Sequence, residues 1–497
     1  MKLEESLFNK LCFFFLARRD DFGEVYAIGG YLRDQLLNKF NNDLDFVVKR
    51  NSIKAAREIA DFFGGDFYLL DKKRETARAL IPLADQQFIV DIALINGEDI
   101  YEDLKKRDFT FNAMAKNIYE PDVVIDPLGG QFDLQFKRLV PCSESSFSDD
   151  PVRTLRAVRF IRNLGLDFDS KIEPAIISAA KDLNTISSER IRDEVCQILG
   201  LYDFERSYEL MTKFGISDQI FPEIKILKEI APKFPHAHNV LTHSFRVVGY
   251  VRYFLDCILD PEIKSEDDFP GEVQTLIYKY REPLIGYLKR FNTLNFSIYP
   301  LIALAGLYHD SAKPYIAPVE DEGKIVYPNH DKKGAEIVRK RMKALAFSNE
   351  DINFVDKIIK HHMSAYLKSI GTDENPNRDI YRYFQVAKDS GIMIGIFHLA
   401  DIIATYEDEL PQFRWEAAIS SVEKIFNAWF NHFDDVISPA KLVTGDEIIE
   451  EFGESPGKKI GLILQKIREE QAAGMVPDKD FALDYAKRMI IEMKSDD

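Results

Sequence analysis

Residues 25–48 read VYAIGGYLRDQLLNKFNNDLDFVV, and this stretch decides the fold. Val25–Ile28 is a short β-type run that Gly29-Gly30 end as they open a helix, and a second β-type run begins at Asp43. The strand period of two places Asp43 and Asp45 on one face and turns Leu44 and Phe46 to the other. Two parallel carboxylates call for a cation, and hard oxygen donors suit Mg²⁺, which binds one or two carboxylates together with substrate phosphates. The glycine turn brings backbone N–H groups to where a triphosphate can lie, with Arg33 directed at the same spot. It is neither GxGxxG nor a P-loop, because the Lys-Ser/Thr ending is missing. Taken alone, the pair is also what a solvated turn before a strand presents. A third carboxylate, Asp91, interrupts the apolar run QFIVDIALI, where burial is costly unless the group is paired or metal-bound.

Outward from this core, β-type runs alternate with helix-like stretches (IKAAREIADFF, FNAMAKNI) as far as about Leu139, and amphipathic helical periodicity dominates from about Pro151. The expected fold is α+β, a mixed-sheet head followed by an all-α remainder. Joints at Phe234-Pro235 and Ser438-Pro439 help to divide the chain into 1–140, 141–235, 236–410 and 411–497. The acidic run DPEIKSEDDFPGE (260–272) is expected to be an exposed loop.

The 497 residues carry 65 Lys+Arg against 82 Asp+Glu, a net charge of −17, so a polyanionic partner must meet a local basic patch. Cys12, Cys142, Cys196 and Cys257 form no CxxC pair, which points away from a disulfide framework or a thiolate zinc site. No apolar run reaches the roughly 18 residues of a membrane helix. Leu11–Ala17 follows Glu4 and Glu5 and precedes Arg18-Arg19-Asp20-Asp21, the pattern of a buried first helix and not of a signal peptide. A cytoplasmic protein without membrane contact is expected.

In DDPVRTLRAVRF (149–160) the spacing puts Asp150, Arg153 and Arg156 on one helix face, with Arg159 and Arg162 extending it. A guanidinium fork beside a carboxylate offers donors and acceptors that can read the Watson–Crick edge of a base.

GGYLRDQLL (29–37), DLDFVV (43–48), KRDFTFNAMA (106–115), DPLGGQFDL (126–134), DDPVRTLRAVRF and ISSERIRDE (186–194), in this order, resemble the class II tRNA nucleotidyltransferase and bacterial poly(A) polymerase family. The segment 441–476, KLVTGDEIIEEFGESPGKKIGLILQKIREEQAAGMV, is similar to that family's tail, and the resemblance implies a helical neck over 141–235 that selects the nucleotide and binds RNA, an HD-type domain over 236–410 and an RNA-binding helical tail over 411–497. The resemblance implies a head like that of DNA polymerase beta, with Asp43 and Asp45 holding Mg²⁺. Gly30, Arg33 and Arg107 would contact the incoming nucleotide. Asp150 and Arg153 would select ATP or CTP, and Arg156 and Arg159 would support the triphosphate or base. The implied chemistry is attack of an RNA 3′-hydroxyl on the α-phosphate, template-independent, with tRNA or another RNA 3′ end as partner and no DNA. Asp91 as third carboxylate is a reading of the residues, not of the family.

His243, His309-Asp310, His330, His362 and Asp401 follow the order of the HD phosphohydrolase superfamily, in which such residues ligate one or two divalent metals. His362 is preferred to His361 because it directly precedes Met363; Asn239 stands where the family often has Asp. His236, His238, His398 and His432 are read as ordinary core or surface histidines. Between Asp91 and Arg107 the chain is short, which resembles members adding only CC and also A-adding or poly(A)-synthesising relatives. Maturation of the tRNA 3′ end is the expectation, with poly(A) synthesis and an HD phosphohydrolase as the alternatives.

Overall fold

The computed structural model describes residues 3–495 except 85, 121–122, 233–235, 264–270, 292–297, 322–323 and 366–374. The joint expected at Phe234-Pro235, and most of the acidic run 260–272, therefore lie outside the described residues. Two units are present, 1–194 with 209–219 and 195–208 with 220–497.

The first unit is built on seven strands: β1 (Val25–Ile28), β2 (Asp43–Val48), β3 (Asp66–Asp71), β4 (Thr76–Leu83), β5 (Gln86–Leu94), β6 (Ala115–Asn117) and β7 (Val124–Ile125). Their order is β3-β4-β5-β2-β1-β6-β7, and only the β2–β5 pair is parallel. Alternation along β2 sorts its side chains as the sequence predicts. Leu44, Phe46 and Val48 join a large core under helices Leu3–Leu16 and Ser52–Phe63, supplied by Leu7, Leu11, Phe15, Ala56 and Ile59 among others. The opposite face carries a smaller core of Tyr26, Ile28, Val47, Ile100 and Leu104, which leaves Asp43 and Asp45 at its border.

FNAMAKNI is not helical as expected. Thr110–Asn112 forms one 3₁₀ turn and Ala115–Asn117 pairs antiparallel with β1. Ala113, Met114 and Ala115 are all fully buried, so sheet pairing and burial override the helical preference of Ala and Met. Helix Arg153–Leu164 buries Leu155, Ala157, Val158, Phe160 and Ile161 and ends at Gly165, whose φ is +62°. Asp150 precedes it in extended conformation (φ −151°, ψ 96°), so it is not on the helix face that the spacing suggested.

The second unit is helical. Helices Val240–Leu259, Tyr299–Tyr308, His330–Ala344, Asn349–His361 and Gly391–Tyr406 pack about one another. Two glycines permit their close approach: a Cβ on Gly306 would lie 2.6 Å from Val248 Cγ2, and one on Gly334 3.1 Å from the His309 carbonyl oxygen. At the C-terminal end, Gly445–Phe452, Lys458–Ala472 and Lys479–Ser495 enclose their own core of Ile448, Ile463, Ile467 and Ala486. A capping box joins Thr444 and Glu447 at the start of the first of these.

Candidate active sites

In the parallel β2–β5 register Asp45 faces Asp91, and in the antiparallel β4–β5 register Asp91 faces Arg78. One oxygen from each of Asp43, Asp45 and Asp91 lies within 4.8 Å of the others. Burial raises the Asp43 carboxyl to about 6, with the Asp91 charge adding to the effect. Burial likewise raises Asp45 to about 7, helped by Asp43 and Asp91 and opposed by Arg107 and Arg156. Asp43 Oδ1 is buried with no hydrogen-bond partner. Three converging carboxylates, one with an orphaned oxygen, fit a hard divalent cation. Asp91 meets the cost of its burial with Arg78, whose Nε and Nη2 donate to Oδ1 and Oδ2 at 2.8 Å each.

Gly29 has φ +68° and ψ −135°, and a Cβ there would sit 3.2 Å from Asp45 Oδ2. This backbone region is essentially reserved for glycine. A Cβ on Gly30 would point toward the same ground, 3.5 Å from Arg33 Nη2 and 3.9 Å from Asp45 Oδ2. Arg33 borders that space but is held in place: Nε and Nη2 donate to Asp34, and Nη1 donates to Asn112 Oδ1, each at 2.8 Å. Arg107 donates from Nε to Asp103 Oδ1 at 2.9 Å, which leaves Nη1 3.7 Å from the Gly29 Cβ position.

A cleft of about 360 Å³ is lined by Arg107, Arg153, Arg156 and Arg190 and by Asp108, Asp150, Asp193 and Glu194. Arg153 lies against the protein, donating to the Ser146 carbonyl (3.1 Å), Ser146 Oγ (3.0 Å) and the Lys106 carbonyl (2.7 Å). Arg190 donates to Asp150 Oδ2 at 2.6 Å, while Asp150 Oδ1 is buried and unpartnered. Arg156 bridges Asp108 (2.6 Å) and Glu194 (3.0 Å), and Arg159 donates to Glu194 at 2.8 Å. Within the basic stripe that the sequence suggested, Arg156 and Arg159 are thus neutralised by Asp108 and Glu194, whereas Arg153 meets only uncharged oxygens. Asp108, Glu194, Arg190 and Arg78 were not singled out as site residues. The first two follow Arg107 and close ISSERIRDE, so motif membership was their available signal; Arg78 emerges only from strand register.

In the second unit the predicted His/Asp set converges. His243, His309 and Asp310 form one group of possible ligands and Asp310, His330 and His362 another, each within 4.8 Å, sharing Asp310. Asp401 Oδ1 is 3.1 Å from His243 Nε2 and 3.7 Å from His309 Nε2. Lys313 Nζ is 2.6 Å from Asp310 Oδ2. Burial opposes the charge on Asp310, yet Lys313 and His309 hold its carboxyl well below the usual range. Burial, aided by His309, pushes His362 down to about 4, the neutral form a metal ligand requires. Backbone carbonyls of Gly306, Tyr327 and Ile359 meet Nδ1 of His309, His330 and His362 at 2.8, 2.7 and 2.6 Å. Each Nε2 is thereby turned toward the cluster. His362, not His361, joins it, and His236, read as an ordinary histidine, stacks edge-on against His243 with ring centroids 5.1 Å apart.

A sheet carrying clustered carboxylates beside a glycine turn, in a chain whose helices gather a His/Asp cluster, defines a nucleotidyltransferase with an HD domain. Family models agree. The Poly A polymerase head domain matches 25–140, the probable RNA and SrmB-binding site of polymerase A matches 165–227, and the HD domain matches 299–405. In this order the chain carries matches to the poly(A) polymerase head, its RNA-binding segment and an HD domain, each over part of its length. It is 25% identical to an A-adding tRNA nucleotidyltransferase of Deinococcus radiodurans over 93% of this chain and 94% of that one. It is 36% identical to a CC-adding tRNA nucleotidyltransferase of Geobacter sulfurreducens over 41% of this chain and 47% of that protein. Among solved structures, the Thermotoga maritima CCA-adding enzyme complexed with tRNA shares the fold, with TM-score 0.51, 21% identity and coverage of 99% and 96%. No helix among the described residues is long and apolar enough to cross a membrane.

Proposed function

We propose that this chain extends RNA 3′ ends without a template, adding C and/or A from CTP and ATP to the tRNA 3′ end in the cytoplasm. The observation that carries this reading is the convergence of Asp43, Asp45 and Asp91 beside Gly29-Gly30. Asp43 and Asp45, with Asp91 third, would hold Mg²⁺, which when bound lowers the pKa of the attacking 3′-hydroxyl and stabilises the pyrophosphate leaving group. The side-chain-free Gly29-Gly30 turn leaves room for phosphates next to these carboxylates. Arg33 and Arg107, fixed by Asp34 and Asp103, present positive charge from set directions and so need no reorganisation during the reaction. Asp150 and Arg153 would read the base, with Arg190, Ser146 and the Lys106 carbonyl fixing their orientation. Arg156 and Arg159 support that frame through Asp108 and Glu194.

The segment between β5 and helix Ile100–Lys105 is short and tied down. Asn96 N–H donates to Asp103 Oδ2 (2.8 Å), Glu98 N–H to Glu102 Oε2 (3.0 Å), and Lys106 Nζ to the Asn96 carbonyl (2.9 Å). Such a pinned connection favours addition of a single nucleotide type, CC or A. Primer extension tests the reading, with Mg²⁺ and tRNA transcripts ending at the discriminator base, at C or at CC, each given CTP and ATP separately and together. Addition ending at CC, at one A or at CCA supports it; long A tails on unrelated RNA make the protein a poly(A) polymerase, and no incorporation overturns the transferase reading.

A second activity is favoured by the HD cluster. His243, His309, Asp310 and Asp401, with His330 and His362, would hold one or two divalent ions for phosphoester hydrolysis. Hydrolysis of a phosphomonoester or cyclic phosphodiester that survives Asp43→Ala and is lost in His309→Ala would assign it there.

A further inference from the structure

Lined by residues other than those of the HD cluster, the second unit contains a cavity of about 270 Å³ whose lining includes Phe384, Lys388, Trp429, Phe433, Pro439 and Arg468. Its aromatic wall is ordered: Trp429 stacks on Phe384 with centroids 5.2 Å apart and meets Phe433 edge-on at 5.1 Å. Phe433 is nevertheless 38% exposed, so part of that wall is open to a ligand. It opens a five-residue π-helix, Phe433–Ile437, an irregularity frequent at functional sites.

The cationic side of the cavity is also unusual. Lys388 ends helix Pro376–Ala387 with φ +48° and ψ −135°, a conformation that glycine adopts freely and that strains any other residue. Its ammonium group reaches Gln385 Oε1 at 3.3 Å and forms no ion pair among the described residues. Arg468 is half-buried and likewise has no carboxylate partner among the described residues. The acidic lining residue, Asp389, faces Arg290 at 3.6 Å. Two unneutralised cations beside open aromatic rings are complementary to a base with its phosphate, since bases stack on aromatic side chains and guanidinium planes.

We propose that this cavity seats one splayed nucleotide of the RNA substrate, its base against Phe433 and Trp429 and its phosphate between Lys388 and Arg468. The proposal rests on the RNA-extending reading above and adds a recognition point remote in sequence from the head. The cavity is smaller than the roughly 300–1,000 Å³ typical of sites that enclose a whole drug-sized ligand, in keeping with one base and not a folded RNA element.

The protein has two tryptophans, and Trp415→Phe leaves Trp429 as the sole indole reporter. In that full-length background, titration with a tRNA transcript lacking its CCA end is expected to quench Trp429 fluorescence. Arg468→Glu and Phe433→Ala are each expected to weaken the RNA Kd by about tenfold or more, the loss that one stacked base and its phosphate contact predict. Lys388→Gly separates recognition from folding: it is expected to raise Tm by relieving backbone strain while weakening RNA binding. RNA that binds without quenching Trp429, with a Kd unchanged in Arg468→Glu and Lys388→Gly, overturns the proposal. Quenching by AMP or CMP alone, with the RNA Kd unaffected by the variants, overturns it in favour of a free-nucleotide site. A parent protein that binds no RNA at all instead overturns the reading on which the proposal rests.

Discussion

Arg78 and Asp91 form a two-pronged ion pair across β4 and β5, both hydrogen bonds 2.8 Å long. The guanidinium thereby neutralises one of three neighbouring carboxylates, while Asp43 and Asp45 have no such ion pair among the described residues. Both partners are less than a third exposed, so the pair falls between surface bridges worth under about 1 kcal/mol and buried ones whose disruption costs about 3. Arg78→Ala is expected to destabilise the metal-free protein by about 2 kcal/mol and to enlarge the stabilisation gained from Mg²⁺. Thermal unfolding with Mg²⁺ and with EDTA checks this; an unchanged Mg²⁺ increment would show that Arg78 does not govern the carboxylate cluster.

Asp43 and Asp45 are raised to about 6 and 7, whereas unfolded Asp titrates near ~3.9. Between these values the native state holds more protons than the unfolded chain, so metal-free stability falls as pH rises from about 4 to 7. Protons compete with Mg²⁺ over the same range. The Mg²⁺-induced rise in Tm is therefore expected to be large at about pH 8 and small at about pH 5.5. Asp45→Asn should stabilise the EDTA-treated protein at the higher pH while abolishing nucleotide addition. Equal Mg²⁺ shifts at both pH values would contradict the assignment.

Gly29→Ala places a methyl group 3.2 Å from Asp45 Oδ2 on a backbone with φ +68°. The expected stability loss is about 1–3 kcal/mol, and incorporation should fall further than stability explains. Single-turnover incorporation measured well below the variant's Tm separates the two effects.

Asp150 contributes an unpartnered buried oxygen to the cleft and Arg153 a guanidinium clamped by Ser146. Asp150→Ala and Arg153→Ala are expected to change the CTP-to-ATP incorporation ratio by about tenfold or more, since a well-aligned base contact discriminates by about 1–3 kcal/mol. A uniform loss with both nucleotides would assign these residues to the frame and not to base selection.

For the HD cluster, the measured quantity is metal content. The purified protein incubated with Mn²⁺ or Ni²⁺ and desalted is expected to retain about one or two ions per chain, and His309→Ala to lose at least one of them. Retention in Asp43→Ala separates this centre from the head.

Much of the head was legible because its signals are local. Alternation in DLDFVV sorted the β2 side chains, and Gly29-Gly30 marked the turn into a helix. The HD cluster was legible only through its family order, since His243 and Asp401 are 158 residues apart yet 3.1 Å in space. Three features resisted reading. FNAMAKNI has helical composition, and its burial against β1 is a tertiary effect. Asp150 leaves the helix face because the helix begins three residues later, at Arg153. The Arg78–Asp91 pairing depends on strand register, which no short window of sequence specifies.

Gly306 and Gly334 contribute no side chain to the HD cluster, yet they set how near its helices approach. An added methyl at either position would push one ligand-bearing segment away from another while every histidine and aspartate remained in the sequence. Descendants of this chain could thus lose the cluster's geometry without losing one histidine or aspartate of it, and a catalogue of intact motifs would count them as unchanged.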